Sequence, residues 1–411
     1  MKPISVGMLL NAPYPSDMRV RKEAIALLNA GFLVHLLCLR RTGEQEKDTV
    51  DGISITRIFA GTNDIELAFW DVIMSMHKPH PRFRRAIDSW VKENEISILH
   101  VHDLPLVGTA LHARNSLSIP VVCDFHENYP EALRAWFAWK KNPIARLKNA
   151  LFMNPRRWTN IERNAVKESN HVIAVVEEMK NRLVKEYGVA REKITVVTNT
   201  EELDFLEQPV FDDVYAPLSG KFVVTYSGNI GPHRGVDTVI EAMQYLKDYP
   251  IVLAVVGSGR QTVMDKLKHQ AKHLGVEGSV YFFGRQPFEK FFSFMSLADV
   301  NVIPHKSNPH TDNTVPHKLF EAMMVARPVL VSSSAPLKRI VEETKSGLVF
   351  EAGNARDCGE KILQLFSSRD LCKQLGSNGV QATVHGHLKW ETSQQSLIGL
   401  YRNLLSQNVR R

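Results

Sequence analysis

The 411-residue chain is short of cysteine, with thiols only at Cys38, Cys123, Cys358 and Cys372. None stands in a CxxC pair or at Cys/His metal spacing, which argues against a zinc-type centre and against a disulfide framework. The expectation is a reduced, cytoplasmic protein with structural thiols and no metal. Long apolar runs are missing too. The longest, 33–39 and 251–257, are of buried-strand length, well below the ~20 residues that cross a bilayer. The first strand-like run, 4–10, carries no basic leader with a small-residue cleavage site. There is no Asp-x-Asp dyad to hold a divalent cation between phosphates. The patterns G-x-x-x-x-G-K-[ST], G-x-S-x-G and H-E-x-x-H are absent as well, which removes most kinase, hydrolase and protease readings. Charge of one sign is not dominant. A formal net charge of +7 permits an anionic partner without identifying one.

What is present is an alternation of short β-branched runs with helix-length amphipathic segments, from one end to the other. That pattern calls for parallel sheets wrapped by helices. At this length two domains of roughly 200 residues are the natural division. Strands are expected at 4–10, 33–39, 53–58, 96–101, 119–125, 171–176 and 193–198. After a Pro/Asp-rich stretch, 207–220, a second series follows at 221–227, 251–257, 279–284, 299–304, 327–332 and 347–350. The expected layout is an N-terminal Rossmann-like domain over 1–206, a linker over 207–220 and a second such domain over 221–385. A last helix, 386–411, then packs back on the first domain. Ligands of doubly wound sheets bind at the carboxyl ends of strands, so the residues just after each run are the candidates.

In the second half, TDNTVPHKLFEAMMVARPVLV (311–331) reads as a polar turn, a strong helix former and a buried strand. A helix start suits an anion. Lys318 is badly placed against the dipole unless an anion is near. Glu321, at i+3, has the chemistry to hold a ribose diol. An ordinary amphipathic helix with a surface Lys–Glu pair fits these residue types equally well. In YSGNIGPHRGVDTVIEAM (226–243), Gly228, Gly231 and Gly235 permit close backbone approach, and Arg234 suits phosphate oxygens. Asn229 stands beside them. GSGR (257–260) lacks the third glycine and the acidic residue of a dinucleotide fingerprint, so Gly257 reads as a tight turn lining the site and a nicotinamide site is not expected.

In the first half, VVCDFHENYPE (121–131) sets Asp124, His126, Glu127 and Asn128 around a strand end, a polar knot where an apolar turn would suffice. His102 and Asp103 end an earlier strand in the same way, with a satisfied loop histidine as the plainer reading. Asp17, Arg19 and Arg21 fall in the first strand-to-helix connection. They fit either substrate contact or an N-cap (Ser16 or Asp17) with a solvated basic face. Segment 134–158 interleaves Trp136, Phe137, Trp139, Phe152 and Trp158 with Arg134, Lys140, Lys141, Arg146, Lys148, Arg156 and Arg157. That composition suits a helix lying on an anionic leaflet, or helices packed on the core with a solvated face.

Taken together these segments resemble the family-four retaining glycosyltransferases, over nearly the whole chain. The resemblance implies the GT-B architecture, two Rossmann-like doubly wound domains facing across a cleft that holds the active site. Of the family's E-x7-E pair, Glu321 matches the ribose-binding member and Asn313 stands where the first glutamate would be. Thr314, Pro316 and Lys318 agree with a subgroup written N-x-x-P-x-K-[LI]-F-E. Arg234 takes the Lys position of the family's phosphate-binding pair, and the Arg position carries no base. His126 matches the cleft histidine.

The implied donor site is Gly228, Asn229, Arg234, Gly257, Arg285, Asn313, Thr314, Lys318 and Glu321. The implied acceptor side is Asp17, Arg19, His102, His126 and Glu127, and the catalytic set is His126, Arg234, Lys318 and Glu321. No metal or cofactor is required, and no nucleic acid is expected. The implied co-substrate is a nucleoside-diphosphate sugar, UDP-linked by preference, with a glycan or lipid-linked saccharide as acceptor. A peripheral position on the inner face of a membrane is implied in turn. A GT-B sugar-nucleotide epimerase and a catalytically inactive nucleotide-sugar-binding subunit are the alternatives.

Overall fold

The computed structural model describes residues 4–15, 17–59, 61, 64–76, 78–137 and 154–409. Contacts divide the chain into two compact units. The first is Met1–Thr198 with Gln394–Arg411, and the second is Asn199–Ser393.

The first unit holds an eight-stranded sheet. Its strands are β1 (Ser5–Pro13), β2 (Leu33–Leu39), β3 (Lys47–Val50), β4 (Ile53–Ile58), β5 (Ile96–His102), β6 (Val121–Phe125), β7 (His171–Ala174) and β8 (Ile194–Val196). They lie in the order β3-β4-β2-β1-β5-β6-β7-β8. All neighbours are parallel except the β3–β4 hairpin. That hairpin was not expected. Its strand Lys-Asp-Thr-Val has no apolar run, but its turn is Asp51–Gly52 with both φ positive, the geometry that two-residue hairpins demand.

The second unit holds β9 (Phe222–Ser227), β10 (Ile251–Val256), β11 (Val280–Gly284), β12 (Val300–Ile303), β13 (Val329–Ser332) and β14 (Gly347–Phe350). These run all-parallel in the order β11-β10-β9-β12-β13-β14. Every residue of β9 and β10 is buried, as a sheet covered on both faces requires. Alternate side chains part to opposite faces. Phe222, Val224 and Tyr226 join the cluster of Val239, Ile240, Ile362 and Leu365. Val223, Val252 and Ala254 join Val214, Tyr215, Leu218 and Phe294.

That second cluster corrects the expected linker. Within 207–220, Val214, Tyr215 and Leu218 are buried, and the Tyr215 hydroxyl donates to the Phe294 carbonyl at 2.7 Å. The segment is a wall of the second unit's core. The division falls earlier, after Thr198, because the following residues are already tied in. Thr200 bonds Ser393 at 2.9 Å, and Phe205 meets Phe292 edge-to-face at 5.4 Å. The last helix, Trp390–Val409, carries the chain into the first unit, where Tyr401 is fully buried. No helix among the described residues is long and apolar enough to cross a membrane.

Of the basic, aromatic segment 134–158, residues 138–153 lie outside the described residues. Its last aromatic, Trp158, is wholly buried and packs edge-to-face on Tyr129 at 4.8 Å. Trp158 is therefore a core residue and no part of an interfacial stripe, since a ring at a membrane surface must be exposed.

Candidate active site

Each sheet has one place where its strand order reverses, between β1 and β5 in the first unit and between β9 and β12 in the second. Connections leave such a pair in opposite directions, so the carboxyl ends of the two strands open a crevice. The candidate residues of each half end or follow these strands or, for His126, Glu127, Gly257 and Arg285, strands further along the same sheet.

In the second unit the loop after β9 is knitted to its neighbours through the backbone. The Gly228 N–H donates to Val256 O at 2.9 Å, Ile230 N–H to Ser258 O at 2.9 Å, and Gly257 N–H to Gly284 O at 2.8 Å. Gly257 has φ +134°, and a Cβ there would lie 1.9 Å from the Gly228 oxygen. Only glycine lets these loops approach so closely. The predicted tight turn at Gly257 is thus a packing requirement between two strand ends. Arg285 follows β11 and is exposed.

Two cations stand in this crevice. Lys318 opens the helix Lys318–Met324. Its ammonium sits 3.8 Å from the Tyr226 ring centroid and donates to the Ser227 carbonyl at 3.2 Å. Arg234 donates from a terminal nitrogen to His305 Nε2 at 3.0 Å. Among the described residues no carboxylate forms an ion pair with either cation. Burial, then the like charge of Arg234, drives the Lys318 ammonium well below its usual value, with Glu321 acting the other way. Glu321 itself is half-buried one turn along. Asn313 is 8% exposed, and its amide donates to the Pro309 carbonyl at 2.8 Å. Thr314 follows in extended backbone.

The first unit's crevice is built the opposite way, around a buried carboxylate. Asp124, at 0% exposure, receives Arg19 through Nε at 3.1 Å and a terminal nitrogen at 2.8 Å, a two-pronged pair. It also receives His126 Nε2 at 2.8 Å and faces His102 Nδ1 at 3.3 Å. Arg19 reaches on to the Val197 carbonyl at 2.8 Å and to Glu23 at 2.9 Å. His100 bonds the Tyr401 hydroxyl through Nδ1 at 2.6 Å. Asp17 caps the helix Met18–Asn29 by accepting from the Arg19 and Val20 amides, and its other oxygen lies 3.9 Å from His126 Nδ1. Asp103, in the left-handed region with φ 58°, accepts from the His126 amide at 3.0 Å and lies 3.4 Å from its Nδ1.

Burial opposes charge on His126, but Asp103 and Asp124 outweigh it and raise the group to about 10. His126 is therefore an imidazolium at neutral pH. Its Nε2 side is taken by Asp124, and its Nδ1 side faces Asp103 and Asp17. Burial, then the neighbouring His100, holds His102 down to about 3.

Two expectations for this half are corrected. Arg19 is 3% exposed and taken up by carboxylates and a carbonyl, so it organises the crevice and lies on no solvated face. His102, at 1% exposure, acts only through its neighbours. Arg21 pairs with Asp51 at 2.7 Å and is no part of the crevice. Glu127 sits half-buried just beyond His126.

Glu23, His100, His102 and Asp124 hold ligand atoms within 4.8 Å of one another, a grouping that no local sequence spacing shows. The Arg19 guanidinium already supplies the positive charge there. Residues missed from the sequence were Glu23, His100, Tyr401 and His305. For Glu23 a signal existed: Arg19 and Glu23 are four apart on a face that the apolar period buries.

Comparison with known proteins agrees with this architecture. Residues 18–204 match the model described as Glycosyltransferase Family 4, and residues 208–382 match Glycosyl transferases group 1. WcaI of Escherichia coli (strain K12), a glycosyl transferase assigned to colanic acid biosynthesis, is 27% identical over 183 residues. That match spans 43% of this chain and 44% of the relative, so less than half of either is compared. Sucrose-phosphate synthase from Thermosynechococcus elongatus superposes with a TM-score of 0.78 at 17% identity, covering 98% of this chain and 100% of that one. Anabaena HepE in complex with UDP-glucose gives 0.71 at 14% identity, covering 97% and 100%. These structural likenesses are ones of fold, and the fold is GT-B. The two matches lie in tandem, one on each half of the chain, and together with the fold they mark a glycosyltransferase of GT-B architecture.

Proposed function

We propose that the chain is a retaining glycosyltransferase that moves a sugar from a nucleoside-diphosphate sugar, UDP-linked, to a glycan or lipid-linked saccharide. The observation that carries this reading is the pair Arg234 and Lys318. Two cations held at a sheet's switch point without carboxylate partners are an anion site in waiting, and a diphosphate supplies the missing charge. HepE, a GT-B protein seen with UDP-glucose, supports uridine as the base.

In the reaction the bond between the anomeric carbon and the diphosphate oxygen breaks. The acceptor oxygen bonds the same face of that carbon, and its proton passes to the leaving phosphate oxygen. Arg234 and Lys318 stabilise the charge that develops on the diphosphate, a role often worth several kcal/mol. Glu321 holds the ribose hydroxyls. On this reading the two cations do the work that a divalent ion would otherwise do, and no metal is needed. In the first unit the carboxylates of Asp17 and Asp103, oriented by the His126 imidazolium, are the groups suited to acceptor or sugar hydroxyls. The reading also has the protein working in the cytoplasm, peripheral on the inner face of the membrane through the basic and aromatic residues of 134–158 other than Trp158.

Turnover of a panel of nucleotide sugars with and without saccharide acceptors tests this reading. Arg234→Ala and Glu321→Ala should each abolish most acceptor-dependent release of UDP. Unchanged turnover in both would remove the site, and product formed without acceptor would indicate an epimerase. A non-transferring nucleotide-sugar-binding subunit is favoured by one observation, the Asn313 amide bonded to the Pro309 carbonyl where the family places a glutamate. Tight UDP binding with neither transfer nor hydrolysis would establish that second reading.

A further inference from the structure

We propose that His305 is a positioning residue of the donor site: a neutral imidazole that accepts a hydrogen bond from Arg234, aiming the guanidinium while leaving its charge intact for the diphosphate. The inference rests on the reading of Arg234 as a phosphate-binding group.

The argument begins with the chemistry of the pair. A guanidinium has donors and no acceptor, so the 3.0 Å contact between Arg234 and His305 Nε2 requires a lone pair on Nε2. The proton must then sit on Nδ1, which fixes the tautomer. His305 is 1% exposed and has little freedom to turn. Its carbonyl accepts from the Ser332 hydroxyl, anchoring it between β12 and β13.

The two loops are also locked to one another. The Lys306 amide donates to the His233 carbonyl at 3.0 Å. Gly235 packs so closely on β12's end that a Cβ there would lie 1.7 Å from the Pro304 oxygen. Arg234 is therefore delivered to His305 by the backbone, and the ring sets the last degree of freedom.

The choice of partner matters for charge. An arginine is usually oriented by a carboxylate, as Asp124 orients Arg19 in the first unit, but a carboxylate would cancel the charge a diphosphate needs. The groups facing His305 keep it neutral. Burial, then Arg234, Lys318, His233 and His310, pushes it well below the ordinary histidine value. His233 and His310 are themselves pushed down, to about 3 and about 4, by burial and Arg234.

The test measures UDP affinity by calorimetry, with turnover, in His305→Phe, His305→Gln and His305→Glu, each alone and with Arg234→Ala. Gln places an oxygen acceptor where Nε2 stood. Phe keeps the ring without the acceptor, and Glu supplies a neutralising charge. Phe should weaken UDP about tenfold and Gln by no more than about threefold, the worth of one oriented hydrogen bond. Glu should weaken it at least as much as Phe. Combined with Arg234→Ala, none of the three should have any further effect. Equal binding by Gln and Glu, two side chains of one shape, would overturn the proposal even if the Phe variant failed to fold. So would losses that add to those of Arg234→Ala. If Arg234→Ala alone leaves UDP binding intact, it is the donor site itself that is misplaced.

Discussion

The two switch points of this molecule use the same topological position to opposite electrostatic ends. In the first unit Arg19 and His126 are each matched by carboxylates, at Asp124, Glu23, Asp103 and Asp17. In the second, Arg234 and Lys318 meet a neutral ring, an aromatic face and a carbonyl. A buried cation already matched stabilises and orients; one left unmatched is held ready for an anion. On the proposed function, the first crevice recognises by fixed shape and hydroxyl-binding carboxylates, and the second by charge.

The comparison breaks most visibly at Asp124. Asp124→Ala leaves Arg19 and His126 buried without their shared partner and should cost about 3–5 kcal/mol of stability, measured by urea denaturation. Arg234→Ala should behave in reverse. Turnover should fall about 10²–10³-fold while the denaturation midpoint holds or rises, because relieving like-charge repulsion with Lys318 stabilises the empty site. If both variants lost stability equally, the contrast between the two crevices would be void.

A third measurement uses pH. His126 is raised from 6.5 to about 10, so its ion pairs contribute fully below about pH 6.5 and are lost as pH climbs through 10. Stability should therefore decline between those limits by on the order of 1–3 kcal/mol, and in His126→Gln that decline should disappear. The smallest effect is expected at Tyr401→Phe, which removes the hydroxyl bonded to His100 and should cost about 1 kcal/mol. UDP affinity, belonging to the other unit, should not change in that variant.

Much of this was legible from residue order alone. The strands announced themselves because buried parallel strands are mostly apolar runs, as IVLAVV is. The candidate groups of the second unit, Gly228 to Arg234 and Asn313 to Glu321, were readable because they lie in two short local runs. The candidate groups of the first unit were readable only in part, since their bonds close over long separations. Arg19 finds Asp124 across 105 positions and Val197 across 178, and Tyr401 finds His100 across 301. Local spacing carries no trace of such pairs, so Arg19 was expected in substrate contact or on a solvated basic face, and its burial against Asp124 was not foreseen. The linker expectation failed for another reason. Proline and aspartate were weighed above the apolar Val214, Tyr215 and Leu218 set among them.

The route of the backbone has a consequence for synthesis. The second unit is contiguous, whereas the first is completed only by residues 394–411. A ribosome working from the amino end must therefore finish the whole inserted unit before Tyr401 exists to meet His100 and Phe32. Until then the cluster of Glu23, Asp124 and its histidines lacks the side that Tyr401 supplies. The helix that carries Tyr401 is the one that seals them.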